Sequence, residues 1–189
     1  MAAGAQSMWT ESSFYGIGNL ILVTVGTHSQ QFDRLVSGAD QLAVQIKEKV
    51  IIQRGCSNYV PRYAEHFRWT SSNHMESLIG DARVVISQAS AGAIILALKF
   101  GRPLVVVSRL KRYGENHDDH QQQIARALAI QRRAVIVKDP LGTNLLEASS
   151  EAAIICYPQI GKSSQLERAL RYQFSEWSKT VGEGENLLG

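Results

Sequence analysis

At 189 residues, 44% hydrophobic and 20% charged, the chain has the composition of a globular domain and the length to bury a full core, which sets aside disordered and fibrous classes. Twenty Lys and Arg against seventeen Asp and Glu leave a formal charge of +3. That surplus is compatible with a place near an anionic membrane surface, but it is not the basic stripe that nucleic-acid binding requires, so no nucleic-acid partner is expected.

Residues 1–19 are small and polar around Trp9, Phe14 and Tyr15. They lack the basic start and apolar run of a signal peptide and read as a flexible extension. A continuous β-rich run, Asn19 to Val25, stops at Gly26, the pattern of a strand buried on both faces. Phe32, Leu35, Val36, Ala39, Leu42, Ala43 and Ile46 then recur at spacings of three and four, which predicts an amphipathic helix over Phe32 to Lys47. Val50 to Ile52 reads as a second strand, Phe67 to Thr70 as a short third one, and His74 to Ile79 as a brief helix closed by Gly80.

Arg83 to Ser87 predicts a strand that runs into Ser87-Gln88-Ala89-Ser90-Ala91-Gly92 and a helix to about Phe100, with Gly101 placed as its C-terminal cap. Leu104 to Val107 is another strand, and a polar loop leads to a helix from about Asp118, its N-cap, to Ile130. Ala134 to Val137 is the last clear strand. Ser164 to Lys179 is a closing amphipathic helix whose Leu166, Leu170, Phe174 and Trp177 form one stripe, suited either to packing on the domain's own sheet or to a partner. The whole reads as one domain over 20–180, followed by a tail at 181–189.

Alternating strands and helices with short links predict an α/β fold, an open parallel sheet flanked by helices. Ligands of such sheets bind beyond the carboxyl ends of the strands, at a switch in strand order. Three loops lie there. Gly26-Thr27-His28-Ser29 offers backbone N–H groups and hydroxyls before a helix, which suits a phosphate; a strand-to-helix turn also needs glycine for steric reasons alone. It contains neither a P-loop nor a GxGxxG fingerprint. Ser87 to Gly92 is built of small residues that let a ligand approach the helix start, or that let strand and helix pack tightly. Ser108 to Gln121 packs cations, carboxylates, amides and two histidines into one polar loop. Long polar loops of that kind usually serve a function. His117 and His120 stand too close together, and without supporting ligands, for a structural metal, so no metal is expected. Cys56 and Cys156 fit no ligand or redox spacing and read as reduced side chains of a cytoplasmic protein. No run reaches the roughly 20 apolar residues of a spanning helix.

Taken together, the loops resemble the glycosyltransferase family 28 C-terminal domain. The elements that carry the resemblance are Ile21-Leu-Val-Thr-Val-Gly-Thr27 with Phe32-Asp-Arg-Leu35, Val85-Ile-Ser87 with Ala91-Gly92, Leu98-Lys-Phe-Gly-Arg-Pro-Leu104, and Tyr113-Gly-Glu115 followed by Asp119-His-Gln121. The match runs from about Leu20 to Leu128, with a looser tail. It implies a Rossmann-like domain, the UDP-sugar-binding C-terminal half of a GT-B enzyme. That half occurs alone in the catalytic subunit of the eukaryotic transferase that adds the second lipid-linked GlcNAc, and in small bacterial exopolysaccharide and capsule subunits that work beside a membrane-associated partner.

By the same resemblance, Gly26 and Thr27 lie at the diphosphate, and Ser90, Ala91 and Gly92 hold phosphate at the helix start. Glu115 stands near the ribose or nucleotide, and His120 and Gln121 face the donor sugar. Relatives usually carry histidine where this chain has Gln88, an amide that donates a hydrogen bond but takes no proton. The implied reaction is an inverting, metal-independent transfer of sugar from UDP to a lipid-linked acceptor, with no cofactor. The acceptor-binding half would come from a partner glycosyltransferase subunit that also brings the chain to the membrane. His28 is the in-chain candidate for the general base, since imidazole titrates near neutrality. Two other readings stay open: a companion subunit that keeps the fold and only stimulates its partner, which Gln88 favours, and an unrelated nucleotide-binding α/β protein.

Overall fold

The computed structural model describes residues 19–116 and 120–155. The N-terminal extension, the expected cap at Asp118, the closing helix Ser164–Lys179 and the tail at 181–189 lie outside the described residues. The elements run β1 (Leu20–Thr24), α1 (Asp33–Gln45), β2 (Lys49–Gln53), β3 (Glu65–Phe67), α2 (Ser72–Asp81), β4 (Val84–Gln88), α3 (Ala91–Lys99), β5 (Leu104–Val107), a 3-10 turn (Lys111–Tyr113), α4 (His120–Ile130), β6 (Val135–Val137) and α5 (Gly142–Ile154).

The six strands are all parallel and lie in the order β3-β2-β1-β4-β5-β6. The chain first builds outward from β1 to β3, then returns to place β4 on the other side of β1, with Thr24 opposite Ser87. The switch in strand order therefore falls between β1 and β4, where a crevice opens beyond their carboxyl ends. Alternate residues of the buried strands serve opposite faces. Ile21, Val23 and Ile86 pack with Phe32, Leu35 and Leu42 of the α1 side and Leu145 and Ala152 of α5. Leu20, Leu22 and Val85 pack with Ile79 of α2, Ile94 and Leu98 of α3, and Leu128 of α4. Burial on both faces explains why these strands read as unbroken apolar runs.

Several expected boundaries move. β3 lies upstream of the expected Phe67–Thr70, because residues 65–67 pair with Ile51–Gln53 and the following residues lead to Ser71, whose side chain caps α2 by accepting from His74 N at 3.3 Å. Gly80 lies within α2 rather than closing it, and the helix ends at Ala82, whose N–H reaches Leu78 O. Gly101 does cap α3: it takes a φ of +62°, and Gly101 N and Arg102 N bond Leu98 O and Ala97 O at 3.2 and 2.8 Å, a Schellman arrangement. α5 was not expected at all. It lies against α1, and a Cβ at Gly38 would collide with the Pro140 carbonyl while one at Gly142 would come within 2.9 Å of Gln41 Cβ. Two glycines thus let the start of α5 settle on α1. Among the described residues, no helix is long and apolar enough to cross a membrane.

Candidate functional site

The first loop leaves β1 through a network that holds its backbone in place. Thr24 Oγ1 donates to Gln53 Oε1 and accepts from Gly26 N at 3.2 Å, while Gln53 Nε2 approaches Gly26 O at 3.4 Å. Gly26 needs its glycine twice: its φ is +71°, and a side chain there would strike the Gln88 amide. Thr27 is exposed and His28 half-buried, with His28 Nδ1 accepting from Gln30 N at 3.2 Å. Phe32 then anchors the start of α1, fully buried, its N–H donating to Ser57 Oγ at 3.0 Å.

The second loop follows β4. Gln88 ends that strand at 3% exposure, and Ser90 is the extended N-cap residue of α3, with φ −106° and ψ 140°. Its hydroxyl makes no capping bond, so the first N–H groups of α3 have no intrahelical partner and keep their positive end of the helix dipole facing the crevice. A Cβ at Gly92 would meet nothing within 4 Å. Protein packing therefore does not require glycine at this exposed position.

The third loop turns on Arg109, fully buried two residues past β5. Its Nε donates to Gln88 Oε1. Nη1 donates to the carbonyls of Gln30, Gln31 and Glu115 at 3.0, 2.8 and 3.1 Å, and Nη2 to that of Val25 at 3.0 Å. The guanidinium carbon also lies 4.7 Å from the centroid of the Phe32 ring, a cation–π contact. Burial pulls its pKa down to about 10, against the opposing field of the Glu115 carboxylate, so the group is charged at neutral pH. Its own N–H donates to Gln121 Oε1 at 3.1 Å. One side chain therefore ties the end of β1, the first loop, the second loop and the third loop together.

The expected site residues fall into two groups. Gly26, Gln88 and Ser90 converge, since a Cβ built on Gly26 would clash with Gln88 Nε2 and lie 3.8 Å from Ser90 Oγ; Ala91 and Gly92 follow in the first turn of α3. Gln121 joins them through Arg109. Glu115 is buried, and its carboxylate is engaged by Arg34 Nε and Nη2 at 3.0 and 2.9 Å and by Leu110 N at 3.0 Å. His120 opens α4; its side chain lies outside the described residues, as does His117.

Arg109 and Arg34 were not singled out from sequence. The signal available was position alone: Arg109 is the cation nearest the end of a central strand, while Lys111 and Arg112 are exposed. A separate cleft of about 580 Å³ opens between α4 and β6, lined by Leu110, Arg112, Arg126, Ile136 and Lys138 among others. It lies at the end of the described sheet, away from the switch in strand order, and none of the convergent groups lines it.

Residues 20–153 match the profile of the Glycosyltransferase family 28 C-terminal domain. The chain belongs to that family. No curated protein matches this family 28 domain. Among solved structures it is similar to the glycotransferase of kitacinnamycin, at 18% identity and a TM-score of 0.61, over 91% of this chain and 44% of that one. It is also similar to the glycosyltransferase SnogD from Streptomyces nogalater, at 16% identity and a TM-score of 0.52, over 91% and 44%. The spinosyn forosaminyltransferase SpnP gives 15% and 0.53, over 86% and 43%. These likenesses establish the fold, the Rossmann-like sheet of one half of a GT-B glycosyltransferase. The family 28 domain spans less than half the length of each of the three.

Proposed function

We propose that the chain is the donor-binding and catalytic subunit of a two-part inverting glycosyltransferase that moves a sugar from a UDP-sugar to a lipid-linked acceptor held by a partner subunit. The observation that carries this reading is the convergence of Gly26, Gln88, Ser90 and the open start of α3 at the switch in strand order. Backbone N–H groups there, with the helix dipole behind them, are arranged for a diphosphate. Thr27 adds a hydroxyl at the rim, and His120 and Gln121 at the start of α4 are assigned to the sugar. Glu115 serves the nucleotide side by holding the third loop to Arg34.

In the reaction the acceptor hydroxyl attacks the anomeric carbon as the bond to UDP breaks. Negative charge grows on the leaving diphosphate, and N–H donors already in place stabilise it without reorganising, an effect worth on the order of 100-fold or more per donor. His28 is the base candidate within the chain. The acceptor site is assigned to the partner. Through that partner the subunit would work at the cytoplasmic face of a membrane.

Gln88, in place of the family's usual histidine, favours a second reading: a companion subunit that keeps the fold and stimulates its partner without binding donor. Calorimetric titration separates the two. The donor-subunit reading expects UDP to bind, ADP not to bind, and Gln121→Ala to weaken UDP. Absence of UDP binding would favour the companion.

A further inference from the structure

Cations gather around α4 and β6. Residues 120–138 hold Arg126, Arg132, Arg133 and Lys138 and no Asp or Glu, although the formal charge of the whole chain is only +3. Arg112, Arg126 and Lys138 line the cleft of about 580 Å³ between the two elements, and among the described residues no carboxylate lines it. All three cations are exposed, and none enters an ion pair with another described residue. Below this rim the lining is chiefly apolar, with Leu110, Ala129 and Ile136 among it. Ile130, about one helical turn beyond Arg126, adds an apolar side chain that is 84% exposed. The volume falls within the range of about 300–1,000 Å³ usual for small-molecule sites. Cations above an apolar floor match a molecule with an anionic head and an apolar chain, whose head meets Arg and Lys while its chain leaves water.

We propose that this cleft is a second binding site, separate from the donor crevice, which takes the phosphate headgroup and the first part of the apolar chain of an anionic membrane lipid. Ser108 and Leu110 follow β5 and Lys138 follows β6, so the cleft opens toward the carboxyl end of the sheet, the end at which the switch in strand order lies. A lipid held there turns that end of the domain toward the membrane surface, a contact made by the chain itself and not through a partner. Each Lys or Arg near an anionic surface strengthens binding about fivefold, and each methylene buried on the apolar floor adds about fourfold. The site does not depend on whether the crevice binds UDP.

The test uses the full chain and co-sedimentation with phosphatidylcholine vesicles, with and without phosphatidylglycerol. The wild type is expected to bind only the vesicles that contain phosphatidylglycerol. Arg126→Glu combined with Lys138→Glu should weaken that binding about tenfold or more with an unchanged melting temperature. Lys47→Glu combined with Arg68→Glu, an equal change of net charge at exposed positions outside the cleft, should weaken it far less. Calorimetry with a short-chain phosphatidylglycerol and with glycerol phosphate separates a lipid from a free phosphate: the lipid is expected to bind about tenfold or more tightly, through its buried chain. Equal loss in the two double variants, or equal affinity for lipid and glycerol phosphate, would overturn the proposal. So would a wild type that ignores phosphatidylglycerol. In that case a lower melting temperature of the cleft variant would assign the cleft to residues 156–189 of the same chain, and loss of self-association in it would assign the cleft to a second copy.

Discussion

Arg109 is a full positive charge with no exposed surface, a placement tolerated only when its donors are satisfied. They are met chiefly by carbonyl dipoles, those of Val25, Gln30, Gln31 and Glu115, with the Gln88 amide oxygen and the field of the Glu115 carboxylate beyond. Replacing it with Met would leave those oxygens without a donor in a site closed to water. Arg109→Met is therefore expected to lower unfolding stability by about 3–5 kcal/mol, read from urea denaturation, whereas Arg112→Met, at an exposed neighbour, should change it by less than about 0.5 kcal/mol. In the sequence the two residues belong to one basic run and differ only in that Arg109 stands nearer the end of β5. The glycines were legible because a turn needs them; Arg109 was not, since its role comes from carbonyls up to 84 positions away in the chain.

Among the elements, α1 does more than cover the sheet. Its Asp33 accepts from the N–H groups of Asn58 and Tyr59 at 2.7 and 3.0 Å. One helical face further on, buried Asp40 accepts from Arg62 N, Tyr63 N, Ala64 N and the Tyr59 hydroxyl at 2.8–3.0 Å. Two carboxylates thus tie the long β2–β3 connection to the helix. Burial alone would raise the Asp40 pKa, but the backbone donors of Arg62, Ala64 and Tyr63 and the Tyr59 hydroxyl together bring it below the ordinary 3.8. A depressed folded-state value means that the stabilisation is present above the unfolded pKa and is lost as pH falls through the folded one. Asp40→Asn is expected to cost about 2–3 kcal/mol at pH 7, and the gap to the wild type should close as the medium is acidified below pH 3.8; melting curves across that range check it. α1 itself was plain in the sequence because its apolar spacing is regular. α5 was not, since its buried contacts are mostly small residues, Gly142, Ala148, Ser149 and Ala152, which leave almost no apolar stripe to read.

At the scale of the whole molecule, the parallel order β3-β2-β1-β4-β5-β6 brings three loops far apart in the chain to one crevice, and the architecture follows from runs that are apolar on both faces. What the strand pattern could not show is how the crevice is held open: Gln53 and Ser57 support the first loop from the β2 side, while Arg34 and Arg109 clamp the third loop against it. The sheet and the three loops could be read from local pattern; the clamps depend on contacts between distant segments. A crevice at the switch in strand order, braced from both sides by these contacts, is what the proposed donor site rests on.

Gly92 offers the most direct measurement of that account. Because a Cβ there meets no protein atom within 4 Å, Gly92→Ala should fold normally and gain up to about 1 kcal/mol from its better helix propensity. If the start of α3 is where the diphosphate presses against the backbone, calorimetric titration with UDP should show affinity reduced by about tenfold or more in this equally or more stable variant. Unchanged UDP affinity in Gly92→Ala would contradict the placement of the donor at this helix.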